Sequence, residues 1–180
     1  MIPDSGAPPI KGYLHVYTGN GKGKTTAAIG LAIRAAGAGK RVFFGQFVKG
    51  SEYSEIKALR RFEDRIVVRQ YGLGCFLHRE PGKNDRDAGR EGLVDAGVML
   101  TSGAYDLVIL DEACIALHYK LFTLTELLDA LRSRHPSCEV VVTGRYAPLA
   151  LIKEADLVTE MREIKHYYTT GVMAREGIER

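Results

Sequence analysis

A glycine-rich segment at residues 18–26, with the sequence TGNGKGKTT, constrains the fold of this chain more than any other feature. It lies between a short apolar run at residues 12–17 and an alanine-rich run at residues 25–38. Glycines allow backbone N–H groups to turn inward around an anion, and a helix start adds unpaired N–H donors. A strand, a glycine-rich turn and a helix in this order predict a phosphate-binding P-loop.

The residue types within this loop predict how it meets a nucleotide. Lys24 supplies a positive charge to phosphate oxygens, and the hydroxyl of Thr25 can bind the Mg²⁺ that accompanies a nucleotide. The general pattern has glycine six positions before the lysine, where this chain has Thr18. The dinucleotide pattern G-x-G-x-x-G fails because Lys24 takes the place of its third glycine. The expected nucleotide contacts are Gly19, Asn20, Gly21, Lys22, Gly23, Lys24, Thr25 and Thr26. A glycine-rich turn without a ligand is the alternative.

Strand-like and helix-like runs alternate along the rest of the chain. Strands are expected at residues 12–17, 42–48, 66–71, 107–110, 140–142 and 157–161, and helices at 25–38, 52–62, 86–102 and 124–134. The last helix follows a capping box formed by Thr123 and Glu126. Continuous apolar runs indicate strands buried on both faces. The fold class predicted is α/β, a RecA-like P-loop NTPase fold with a doubly wound, mostly parallel sheet of about six strands and helices on both faces.

Composition limits the classes of protein to which the chain can belong. The 180 residues suit a single domain at residues 12–180, after a flexible arm at residues 1–11. A net charge of +3 does not indicate nucleic-acid binding, and no apolar run approaches the about 20 residues of a membrane span. Cys75, Cys114 and Cys138 match no zinc or redox spacing. These features favour a cytoplasmic protein.

Charged residues follow two of the predicted strands. Asp111 and Glu112 end the apolar run at residues 107–110, where a P-loop fold needs an acid to hold Mg²⁺. An Asp-Glu pair is also typical of NTP hydrolysis, in which the glutamate orients water. Arg145 follows the run at residues 140–142, and Arg34 lies on the helix after the loop. Both arginines are phosphate-binding candidates, with an ordinary surface position as the alternative.

Several segments appear in a fixed order along the chain: TGNGKGKTTAA from Thr18, QFVKG at 46–50, VILDE ending at Glu112, and VVTGR ending at Arg145. KH at 165–166, GV at 171–172 and GIE at 177–179 follow. Together they resemble the ATP:corrinoid adenosyltransferases of the cobinamide and cobalamin pathway, over about residues 12–180. That family also begins its loop with threonine. The C-terminal segments are more specific than the loop, which many nucleotide-binding proteins share.

The resemblance implies an unusual use of the P-loop. ATP lies with its phosphate chain reversed, Co(I) of a reduced corrinoid attacks the 5′ carbon of the ribose, and triphosphate leaves. Lys24, Arg34 and Glu112 are then catalytic, with Arg34 and Arg145 on the phosphates. Thr25 and Glu112 bind Mg²⁺, for which Mn²⁺ can substitute, and Asp111 is a further metal candidate.

The corrinoid side of the family pattern departs from expectation. The family has Gly-Phe-Thr-Trp where this chain has Gly74-Cys75-Phe76-Leu77, and the chain has no tryptophan. Phe76 is the corrinoid-binding candidate, with a place in the core as the alternative. The resemblance also implies a flavin-dependent reductase as electron donor and a homodimer.

Two other functions remain open from the residues alone. A generic P-loop NTPase or phosphotransferase would release ADP, and a corrinoid carrier would deliver its cargo without producing triphosphate. The C-terminal segments have no explanation in the first of these.

Overall fold

The computed structural model describes residues 11–73 and 80–179. Strands and helices alternate in this part of the chain, in the order β1 (Leu14–Thr18), α1 (Lys24–Gly37), β2 (Val42–Phe47), α2 (Ser54–Leu59), β3 (Ile66–Tyr71), α3 (Lys83–Thr101), β4 (Leu107–Asp111), α4 (Ala113–His118), α5 (Leu124–Arg132), β5 (Glu139–Thr143), α6 (Leu149–Glu154) and β6 (Leu157–Glu160). Short 3₁₀ turns occur at Arg60–Phe62 and Tyr167–Thr170. The predicted arm at residues 1–11 lies almost entirely outside the described residues.

The strands form one sheet in the order β3-β2-β4-β5-β1-β6, and every neighbouring pair is parallel. Parallel pairing brings the carboxyl ends of the strands to one edge. At that edge Gln46 of β2 lies opposite Asp111 of β4, and Tyr17 of β1 lies opposite Thr143 of β5. The groups that follow these strands therefore converge, as the rule for doubly wound sheets requires.

Side chains alternate between two cores, one on each face of the sheet. Phe44 and Ile109 pack with α1 and α2 on one face, whereas Phe43 and Val108 pack with α3 to α6 on the other. The residues of β2, β4 and β5 are buried on both faces because helices cover both, which explains their continuous apolar sequence. The face of α1 toward the sheet consists of small side chains, namely Ala28, Ala32 and Ala35.

All six predicted strands are present, and the α/β fold class is confirmed. The capping box is also confirmed, since Thr123 Oγ1 accepts from the backbone N–H of Glu126, whose carboxylate accepts from the N–H of Thr123. The helix predicted at 52–62 is shorter than expected, and α3 begins three residues earlier than expected, at Lys83. It begins there because the Asp85 carboxylate accepts from the backbone N–H of Gly82.

Two helices were not predicted from the sequence. α4 follows β4 after a single residue, so the apolar run of the strand continues into the helix and hides the boundary. α6 is only six residues long, too short for a helical period to be recognised. Among the described residues, no helix combines the length and apolar character needed to cross a membrane.

Candidate active site

The phosphate loop connects β1 to α1 at the carboxyl edge of the sheet. Gly19 and Gly23 have φ values of 94° and 119°, a region that side chains other than glycine rarely adopt. Lys24 is the first residue of α1 and is only 7% exposed. Its Nζ donates to the carbonyl oxygens of Gly19 and Gly21, each at 2.7 Å. The ammonium group therefore lies within the curve of the loop, where an anion would meet it.

Burial lowers the pKa of Lys24, and the nearby positive charge of Arg145 lowers it further. Both effects disfavour the charged form of the lysine in the absence of an anion. A phosphate group beside Lys24 would relieve the repulsion and replace the carbonyl contacts with stronger charge-assisted hydrogen bonds.

A fully buried carboxylate, Asp111, joins the loop to the middle of the sheet. Its Oδ1 accepts from the hydroxyls of Thr25, at 2.9 Å, and Thr143, at 2.7 Å. Its Oδ2 accepts from Nε2 of Gln46 at 2.9 Å, and Gln46 in turn accepts from Gln70 at 2.9 Å. This chain of hydrogen bonds satisfies the buried charge and fixes the hydroxyl of Thr25 beside the loop.

Glu112 follows Asp111 and has a positive φ of 57°, which places it in the left-handed region. Burial raises the pKa of its carboxyl group, and the charge of Asp111 raises it further. The positive charges of Lys49, Lys24 and Arg145 oppose this shift. Within residues 11–73 and 80–179, the Glu112 carboxylate has no direct hydrogen bond or ion pair. Glu112 is thus partly buried and near several positively charged side chains, but it forms no ion pair with them.

The donors around this carboxylate fit a hard divalent cation. Thr25 offers a hydroxyl oxygen, and Asp111 and Glu112 offer carboxylate oxygens, which are the ligands that Mg²⁺ prefers. The raised pKa of Glu112 reflects a site that disfavours uncompensated negative charge, and a bound cation would reverse that. Mg²⁺ keeps several waters, so one or two protein oxygens suffice.

Arg145 lies at the same edge of the sheet. It follows Gly144, whose φ is 137° and where a Cβ would approach the Cys114 side chain to 2.8 Å. Together with Asn20 it lines an open polar cavity of about 490 Å³ beside the phosphate loop. The other residues lining this cavity are Glu160, Arg162 and Glu163. Arg145 therefore faces an open cavity next to the phosphate loop, and its phosphate contact stays a prediction.

The roles of two further predicted site residues, Arg34 and Phe76, stay predictions. Arg34 is exposed in the last turn of α1, ten residues after Lys24, which corresponds to about 15 Å along the helix axis. Its phosphate contact stays a prediction. Phe76, predicted for the corrinoid side, lies outside the described residues, as do Cys75 and His78.

The family model for the ATP:corrinoid adenosyltransferases BtuR, CobO and CobP matches residues 10–180. The chain belongs to this family. A corrinoid adenosyltransferase of Escherichia coli strain K12 is 36% identical over 94% of this chain and 86% of its own length. The corrinoid adenosyltransferase of Pseudomonas aeruginosa is 35% identical over 94% of this chain and 84% of its own, and CobA of Salmonella typhimurium is 36% identical over 94% and 86%. The chain is an enzyme of the transferase class, and its activity is the transfer of an adenosyl group from ATP to a corrinoid.

Sequence reasoning missed several polar residues of this adenosyltransferase. The sequence did not predict a role for Gln46 and Thr143, which donate to Asp111, or for Gln70, which donates to Gln46. Gln46 and Thr143 stand inside the family segments QFVKG and VVTGR, and a polar residue in an otherwise apolar strand was the available signal. Gln70 gave a similar signal in β3.

The last of the C-terminal family segments, at residues 177–179, contacts the phosphate loop. Lys22 donates to the Ile178 carbonyl at 2.7 Å and to Glu179 at 3.0 Å. Its phosphate contact stays a prediction. His166 accepts at Nδ1 from the backbone N–H of Tyr168 at 3.0 Å, which orders the 3₁₀ turn.

Proposed function

We propose that this adenosyltransferase holds the triphosphate of ATP in its phosphate loop while Co(I) of a reduced corrinoid attacks the 5′ carbon of the ribose. The observation that carries this proposal is the convergence of Lys24, Arg145, Thr25 and two carboxylates at one edge of the sheet. Such a site suits a leaving group with a high negative charge and a divalent cation bound to it.

The covalent change is a single displacement at carbon. The electron pair of Co(I) forms the Co–C bond, the bond between C5′ and its phosphate oxygen breaks, and triphosphate leaves with that electron pair. Cobalt is oxidised from Co(I) to Co(III), and no bond between phosphates is broken. The nucleophile carries its own lone pair, so no side chain is needed as a general base.

The protein's part is to bind and stabilise the leaving group. Lys24 leaves the carbonyls of Gly19 and Gly21 and donates to phosphate oxygens, where its charge has a strong effect because the side chain is largely buried. Arg145 turns from the open cavity to the same phosphate chain, and Arg34 is proposed as a further contact. The loop N–H groups and the positive end of α1 add to this field.

Thr25 and Glu112 would hold Mg²⁺, with Asp111 fixing the Thr25 hydroxyl. When bound, Mg²⁺ supplies charge neutralisation to the departing triphosphate. Gln46 and Thr143 hold the Asp111 carboxylate in its orientation, because both donate hydrogen bonds to it. Mn²⁺ is proposed to substitute, since it accepts the same oxygen ligands.

Other features of the proposal follow from the chemistry of Co(I). A strongly reducing electron donor must supply it, and we propose a flavin-dependent reductase. Phe76 is proposed to contact the corrinoid, and the enzyme is proposed to act as a homodimer. A cytoplasmic setting is supported by the free, buried thiols of Cys114 and Cys138.

The deciding experiment supplies ATP, Mg²⁺ and chemically reduced cobalamin without oxygen, and identifies both products. We expect triphosphate together with the light-sensitive visible spectrum of an adenosyl-cobalt bond, in equal amounts. ADP or free phosphate with an unchanged corrinoid would identify an NTPase and overturn the proposal. Corrinoid binding without triphosphate would identify a carrier instead.

A further inference from the structure

The two lysines of the phosphate loop have different partners. Lys24 donates to carbonyl oxygens of the loop itself. The Nζ of Lys22 donates to the Ile178 carbonyl at 2.7 Å, to Glu179 Oε1 at 3.0 Å and to the Tyr167 hydroxyl at 3.4 Å. These partners lie more than 140 residues away in sequence, so the contact is a tertiary one.

The chain beyond β6, residues 161–179, contacts the loop at both of its ends. We call this segment the C-terminal strap. At its first end, the backbone N–H of Gly21 donates to the Met161 carbonyl at 2.7 Å. A Cβ at Gly19 would lie 2.4 Å from the same carbonyl oxygen, and one at Gly21 would lie 2.8 Å from it. These glycines are therefore required by the close approach of the strap, in addition to any role toward phosphate.

At the other end of the strap, the Glu179 carboxylate collects several donors. It accepts from the backbone N–H of Arg175 at 2.8 Å, from the Arg175 guanidinium, from the hydroxyl of Tyr167 and from Lys22. The hydrogen bonds to Arg175 and Tyr167 hold the pKa of Glu179 well below its usual range. Contacts that do not involve Lys22 therefore hold the carboxylate in position and favour its charged form.

We propose that Lys22 is a positioning residue whose contact with Glu179 and Ile178 clamps the C-terminal strap across the phosphate loop and so preorganises the loop for ATP. The inference deepens the proposed function and rests on it, because it assigns the GIE segment to the nucleotide site. Ion pairs near solvent are individually weak, so the clamp depends on the backbone contacts at both ends as well as on the charges. Its loss should raise the Kd for ATP by about three- to tenfold.

The rival role for Lys22 is direct phosphate binding, with Glu179 merely restraining it. The two roles predict opposite effects of removing the glutamate. If Lys22 were a phosphate ligand, Glu179→Gln would release it and tighten ATP binding. If Lys22 is part of a clamp, Glu179→Gln and Lys22→Met remove the same contact, so the double variant is no worse than either single one.

The test measures binding of Mg²⁺ and ATP by calorimetry, without corrinoid, for wild type, Lys22→Met, Glu179→Gln and the double variant. Glu176→Gln removes the same charge from the strap three residues away, and Lys57→Met removes an exposed lysine of α2, so both serve as matched controls. We expect similar increases in Kd for the three clamp variants and none for the controls. Limited proteolysis should cut the strap faster in the clamp variants only.

Two results would overturn the inference. One is tighter or unchanged ATP binding in Glu179→Gln beside weaker binding in Lys22→Met. The other is a fold-increase in the Kd of the double variant that equals the product of the fold-increases in the two single variants. Both results come from ATP binding without corrinoid, so they do not depend on the chemical step. Failure of adenosyl transfer would be seen in the reaction products, and failure of the clamp would be seen in the Kd for ATP.

Discussion

Two glutamates, Glu112 and Glu179, lie near the phosphate loop in opposite electrostatic states. Burial and the neighbouring Asp111 raise the pKa of Glu112, which has no attached cation among the described residues. Hydrogen bonds from Arg175 and Tyr167 lower the pKa of Glu179. The comparison teaches that a carboxylate with its partners in place holds the structure together. A partly buried carboxylate without them is a candidate ligand for a cation.

The largest effect should come from Glu112→Gln. We expect kcat/KM for adenosyl transfer to fall about 100-fold or more, because the proposed metal ligand loses its charge. The same change should stabilise the metal-free protein by roughly 1 kcal/mol, since it removes a partly buried charge that has no ion-pair partner among the described residues.

The measurement is steady-state kinetics together with thermal unfolding in EDTA. Glu179→Gln is the control, because removing a carboxylate that already has partners should not raise the unfolding temperature. A variant at Glu112 that retained activity would break the contrast between the two glutamates.

Asp111→Ala should be the most destabilising of these changes to the buried network. It removes the acceptor of three buried or partly buried donors, namely Thr25, Thr143 and Gln46, and we expect a loss of about 2–4 kcal/mol in the free energy of unfolding. Asp111→Asn should lose less, because its amide oxygen can still accept from the hydroxyls of Thr25 and Thr143. Denaturant unfolding of both variants checks this, and equal losses would contradict it.

Gly19→Ala and Gly23→Ala separate backbone conformation from the contact with the strap. Both residues have positive φ, but only at Gly19 would a Cβ meet another chain segment, the Met161 carbonyl. We expect Gly19→Ala to lower the free energy of unfolding by about 1–2 kcal/mol more than Gly23→Ala. Equal losses in the free energy of unfolding would mean that the strap can move away from the loop at little cost. That result would argue against a preorganised loop.

The smallest effect is a dependence of metal affinity on pH. The pKa of Glu112 is raised in the folded state, so the destabilisation caused by its charge is relieved as the pH falls through that pKa. Protonation also removes the metal ligand, so the Mg²⁺ half-saturation concentration in ATP binding should rise over the same range. Glu112→Gln should lose this dependence.

The depressed pKa of Glu179 means that the stability it contributes is present above its unfolded value and is lost only at strongly acidic pH. Cleavage of the strap by proteases should therefore stay constant across the range in which metal affinity changes. If the cleavage rate and the metal affinity changed over the same pH range, the assignment of separate roles to Glu179 and Glu112 would be contradicted.

Much of the fold could be predicted because local signals and burial agree. The runs that became β2, β4 and β5 are continuous and apolar because helices cover both faces of the sheet. α4 could not be predicted, since its start depends on Glu112 adopting a left-handed conformation at the end of a buried strand. The order β3-β2-β4-β5-β1-β6 depends on which strands pair, and the sequence carries no local signal for that.

The sequence by itself determined the loop, the helix that follows it and the acidic end of β4, because turn, helix and strand propensities act over a few residues. Only the tertiary structure decided which lysine of the loop faces its interior. Lys22 and Lys24 are two positions apart and chemically identical. The direction of each depends on the strap, more than 130 residues later, which supplies a carboxylate and a carbonyl to one lysine and none to the other.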